Sequence, residues 1–82
     1  MDTYESWLKA ELAFRRHALL NRITEIEHIM SGLRQRMESD SYLNDLGELQ
    51  ASGVMLDAAV AAYATERQAL KNYQEMAARG ND

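Results

Sequence analysis

Apolar side chains recur along this chain at alternating spacings of three and four, in two long stretches separated by one polar break. The first stretch carries Leu12, Leu19, Ile23, Ile26, Met30, Leu33 and Met37. The second carries Tyr42, Leu46, Leu49, Leu56, Val60, Tyr63, Leu70 and Ala77. This is the period of a helix that buries one stripe against another helix. The pattern predicts an all-α fold: an antiparallel, coiled-coil-like two-helix hairpin. The first helix is expected over about 3–38, the turn over about 39–42 and the second helix over about 43–79, in one domain spanning 1–82. Proline is absent, so nothing interrupts either helix. Asp2 with Glu5 three residues later reads as a capping box. Ser39, Asp40 and Ser41 are good N-caps for the second helix. Gly80-Asn81-Asp82 reads as a cap and tail.

With the turn placed near Asp40, residue i of the first helix is expected opposite residue 80 − i of the second. Ile26 then faces Gly53, which would serve as a hole for a bulky side chain. Trp7 falls near Tyr73. Gly32 and Gly47 have no such role and weaken the helices. Arg16 and Arg67 land on core-type positions, where their stems are expected to lie along the apolar stripe with Glu11 or Glu66 nearby.

More apolar residues exist than one seam needs. Trp7, Phe14, Leu20 and Ile29 lie beside the stripe on the first helix; Val54, Met55, Ala58, Ala59, Ala61, Ala62 and Ala64 do so on the second. Ala58, Ala61, Ala62 and Thr65 form a smooth ridge that lets another backbone approach. A partner interface is therefore expected at Trp7, Phe14, Leu20, Ile29, Val54, Met55, Ala58, Ala61, Ala62 and Thr65. It would complete a four-helix bundle, by homodimerisation or by binding another protein. Aromatic residues gather at the open end, where Tyr4, Trp7, Phe14, Tyr63 and Tyr73 close the core or form a hot spot.

Size strengthens this expectation. A hairpin of 82 residues has little interior, and oligomerisation is one way such chains are stabilised. With no cysteine, disulfides and thiolate zinc sites are excluded, and a reducing cytoplasm fits. The acidic start Met1-Asp2-Thr3-Tyr4-Glu5 lacks the apolar core of a signal peptide, and no apolar run is long enough for a membrane span. Net charge is −4, from 13 acidic and 9 basic residues, and Arg15, Arg16, Arg22, Arg34 and Arg36 are interleaved with Glu11, Glu25, Glu27 and Glu38. That mixture argues for a solvated helix surface and against nucleic acid as the partner.

Candidate chemistry is sparse. Glu25 and His28 have the Glu-x-x-His spacing of half a di-iron carboxylate site, but Ile26 holds the inward position, so the pair projects outward. A metal would need an oligomer to bring in further carboxylates, so no metal or other cofactor is assigned. His17 sits among surface cations. No nucleophile elbow or phosphate-cradling loop is present, and no enzyme is expected. The order of an amphipathic Ile23–Met37 segment, a polar turn Ser39–Tyr42 and an Ala- and Leu-rich Val54–Tyr63 segment resembles the small helical-hairpin co-chaperones of type III secretion needle subunits. That resemblance implies a co-chaperone of such a needle subunit. The residues alone point to a non-catalytic adaptor, chaperone or inhibitor docking apolar helix faces. A phage- or plasmid-encoded inhibitor of a host defence or nuclease complex, and an oligomeric metal-binding hairpin, are the alternatives.

Overall fold

The computed structural model describes residues 3–39 and 46–80. Helix α1 spans Thr3–Glu38 and helix α2 spans Leu46–Gly80. They lie antiparallel along each other in a rod of 61 × 16 × 15 Å. The chain is thus an all-α two-helix hairpin, with no strand among the described residues. Glu5 near the N-terminus of α1 and Arg36 near its C-terminus complement the helix dipole. The Ser39 amide donates to the Arg36 carbonyl at 3.2 Å and tightens the last turn. The capping pair beginning at Asp2, the turn residues 40–42 and the expected helix start at 43 lie outside the described residues.

The stripe that holds the helices together is not the most apolar one. On α1 it consists of Leu8, Leu12, Arg15, Leu19, Arg22, Ile26, Ile29, Leu33 and Arg36, flanked by the part-buried Glu11, Ala18 and Gly32. On α2 it consists of Leu49, Ser52, Leu56, Ala59, Tyr63, Glu66, Leu70, Tyr73 and Ala77, flanked by the part-buried Gly53, Ala62, Ala69 and Met76. Each series steps by three and four without interruption, as a heptad seam requires. Leu12, Leu19, Ile26 and Leu33 occupy position a, matched by Leu49, Leu56, Tyr63 and Leu70 on α2. Position d holds Arg15, Arg22, Ile29 and Arg36 on α1, and Ser52, Ala59, Glu66 and Tyr73 on α2.

The covered residues set the register: the two series pair one to one when residue i of α1 lies opposite residue 85 − i of α2, from Leu8 with Ala77 to Arg36 with Leu49. Ala59, the most buried of the described residues at 2 % exposure, then faces Ile26. Side chains lean toward the N-terminus of their own helix, so Arg22 bonds Glu66, Arg36 bonds Ser52 and Arg15 lies over Tyr73, each three residues off that rule. This corrects the expected register of 80 − i by five residues, because only there do the covered faces of the two helices coincide.

Three further expectations are corrected with it. Ile23, Met30, Met37, Leu46 and Val60 are exposed, not part of the seam. Arg16 and Arg67 are exposed as well, while Arg15, Arg22 and Arg36 take the core-type positions. Had the helices met through Ile23, Met30 and Val60, Arg16 and Arg67 would have entered the seam as uncompensated cations, a costly arrangement. Finally, Gly53 is not a hole for Ile26: a Cβ built there meets no atom within 4 Å. Trp7 does reach Tyr73 as expected, with ring centroids 5.9 Å apart.

Gly32 is equally open around a built Cβ. Gly32→Ala should therefore stabilise α1 by about 0.8–1.0 kcal/mol through helix propensity alone. In thermal unfolding this corresponds to a rise of roughly 4–8 °C.

Candidate interaction surface

Eleven large hydrophobic side chains are exposed on the described part of the hairpin, whereas only Leu8 and Ala59 are buried. The exposed set sorts into three places. Heptad position e of both helices lies on one flank and carries Ile23, Met30 and Met37 of α1 with Leu46 and Val60 of α2. Leu20 borders this flank, three residues before Ile23. The back of α2, turned away from α1, carries Val54 and Met55 with Ala58, Ala61 and Thr65. The open end carries Tyr4, Trp7 and Phe14.

The residues expected at an interface therefore do not form one surface. Val54, Met55, Ala58, Ala61 and Thr65 share the back of α2, where the Thr65 hydroxyl donates to the Ala61 carbonyl at 3.2 Å. Ala62 is half-buried at the edge of the seam. Ile29 is half-buried within the seam and Ala59 fully so, which corrects their placement beside it. Trp7 packs on Tyr4 and Tyr73. Phe14 is exposed, with the Arg15 guanidinium 5.6 Å from its ring centroid. Sequence reasoning missed the flank as a surface because it assigned the same residues to the core. The available signal was the series Arg15, Arg22, Arg36, spaced by seven and fourteen and mirrored by Ser52, Glu66 and Tyr73.

Polar layers of the seam are satisfied in different ways. Arg22 is the most connected: its Nη2 and Nε donate to Glu66 Oε1 at 2.9 and 3.3 Å, and its Nη1 donates to Glu25 Oε2 at 2.6 Å. The hydrogen bond to Glu66, opposed by partial desolvation and helped by the charges of Glu66 and Glu25, holds the Arg22 guanidinium above its ordinary value. A raised value leaves Arg22 charged below its ordinary pKa, so its contribution is lost only at extreme alkaline pH. Arg36 donates to Ser52 Oγ at 3.0 Å and pairs with Glu48 at 3.2 Å. Arg15 Nε is buried without a hydrogen-bond partner. Glu11 lies 3.6 Å from it, and its guanidinium carbon sits 5.3 Å from the Tyr73 ring centroid, where the ring face offsets the charge.

If the Arg22–Glu66 layer fixes the register, Glu66→Arg should lower the melting temperature more than Glu66→Gln. Glu25→Gln, on the exposed rim, should leave it within experimental scatter. A melting series of the three variants checks this order.

Chemical machinery is thin. Among the described residues no three His, Cys, Asp or Glu side chains converge to hold a metal ion. Glu25 is engaged by Arg22, and His28 is exposed. A cleft of about 400 Å³ opens at the free end between Tyr4, Leu8, Leu12, Ala77 and Gly80. Its charged groups are Glu5 and Lys9, which pair with each other at 3.9 Å. No described helix is long and apolar enough to cross a membrane. The chain matches no family model, no curated protein and no solved structure.

Proposed function

We propose that this chain is a small non-catalytic protein–protein interaction module, an adaptor, chaperone or inhibitor, whose exposed helix faces are covered by protein. One observation carries the reading: the e positions of both helices place Ile23, Met30, Met37, Leu46 and Val60 on a single flank, while only two of the described residues are buried. Scattered surface hydrophobes are ordinary, but a contiguous stripe across two helices marks a contact surface. A net charge of −4 gives no overall excess of positive charge for a phosphate backbone.

A photo-cross-linking residue at Val60, in cells that make the protein, tests the reading. A covalent adduct with protein, whether a second copy or a different chain, is expected. A chain that forms no protein adduct from Val60 contradicts it.

A further inference from the structure

We propose that the flank is covered by a second copy of this chain, two hairpins packing through Ile23, Met30, Met37, Leu46 and Val60 into a four-helix bundle with their turns at opposite ends. The inference rests on the reading of the chain as an interaction module and names the occupant. Three observations support a second copy.

The first is surface. The hairpin exposes 6431 Å² at a mass of 9.4 kDa. A compact monomer of that mass exposes about 5,000 Å². The surplus of roughly 1,400 Å² exceeds the ~800 Å² per partner that a standard stable interface buries. The second is pattern. A two-stranded coiled coil needs apolar residues only at a and d, whereas a helix of a four-helix bundle extends its apolar face to e or g. Here e is apolar on both helices and on the same flank. Gly53 lies between Leu46 and Val60, with open space where a side chain would be, so knobs and a notch occur on one face. A two-fold interface requires that self-complementarity.

The third observation is charge, and it sets the orientation. Arg16 and Arg67 continue the e rows toward the open end, seven residues beyond Ile23 and Val60, and Lys71 lies one turn past Arg67. Glu27 and Asp57 border the same flank nearer the turn. None of these five carries an ion pair among the described residues. With the turns at the same end, the cations of both copies would meet at one level. With the turns at opposite ends and the apolar rows in contact, the two sets of cations lie far apart.

Light scattering after size exclusion, from low-micromolar to near-millimolar protein, is the test. Wild type should give twice 9.4 kDa. Met30→Glu with Val60→Glu should halve the mass and keep the helical circular dichroism. Should that variant unfold, Met37→Glu with Leu46→Glu, at the other end of the flank, should give the same halving. Val54→Glu, on the more exposed back of α2, should leave the dimer intact. A wild type that is monomeric throughout overturns the proposal. So does a dimer that survives both flank variants, or one that Val54→Glu dissociates. Orientation is read by a spin label on Ala10→Cys, in a chain without other cysteines. Opposed turns place two labels about 50 Å apart; a separation under about 25 Å overturns that part. A monomeric wild type that still cross-links another protein from Val60 would refute the dimer and spare the proposed function. Absence of any adduct would sink both.

Discussion

Leu8→Ala should be the most damaging single truncation in the chain, costing on the order of 3 kcal/mol. Leu8 is 6 % exposed, the only large buried side chain among the described residues. Removing a buried leucine's outer atoms loses their transfer free energy and leaves a cavity, with measured costs of about 2.7–5 kcal/mol. The lower part of that range applies here, because Leu8 lines a cleft at the free end and the helix termini can close on the space. Against a total of about 4–12 kcal/mol for a chain of this length, the loss is large. The expected fall in melting temperature is roughly 12–24 °C. Trp7 is the only tryptophan and sits beside Leu8 against Tyr73. Its fluorescence should therefore report loosening of the open end before circular dichroism reports loss of helix. Simultaneous changes of both signals, with a shift of only a few degrees, would mean that Leu8 is not a core residue.

The second large effect comes from adding atoms. Ala59→Leu should destabilise by about 1–3 kcal/mol through overpacking. Ala59 is 2 % exposed and lies opposite Ile26 in the register that the covered residues of the two helices define. Three extra carbons can fit only by pushing the helices apart or forcing poor rotamers. Its neighbour Ala58 is exposed on the back of α2, so Ala58→Leu should change stability by no more than about 0.5 kcal/mol. Urea titrations of the two variants compare adjacent alanines with opposite expectations. Equal midpoints would mean that α2 turns a different face to α1.

Fold class was legible in the sequence for a simple physical reason. Two long segments of period near 3.6 without proline can satisfy their backbone only as helices, and each needs a partner for its stripe. The face that meets the partner was not legible from hydrophobicity. Leu12, Leu19, Ile26 and Leu33 belong equally to two stripes, one completed by Ile23, Met30 and Met37 and one by Arg15, Arg22, Ile29 and Arg36. Residue by residue the first is more apolar. The second wins because its layers pair: Arg22 with Glu66, Arg36 with Ser52, Arg15 with Tyr73. That advantage exists only when both helices are read together and in register.

The interaction surface was half legible for the same reason. Excess apolar character on the chain predicts a second contact face, and the back of α2 with Val54, Met55, Ala58 and Ala61 is such a face. The flank stayed hidden because its residues looked like core. A chain can therefore display its most hydrophobic stripe outward while a mixed polar seam specifies the hairpin. Such polar layers cost some stability relative to an apolar seam and narrow the choice of register.

The pairing of α1 with α2 is tested most directly by engineered disulfides, since the chain has no native cysteine. Two double variants suffice: Ile26→Cys with Ala59→Cys, and Ile26→Cys with Gly53→Cys. Mild oxidation and a mobility assay under non-reducing conditions, at concentrations where each chain is monomeric, give the readout. The register of 85 − i predicts that the first pair closes readily within one chain and that the second stays reduced. Rapid closure of the second pair, with the first left open, would contradict the seam of Arg22 and Glu66 and return Ile23, Met30 and Val60 to the core.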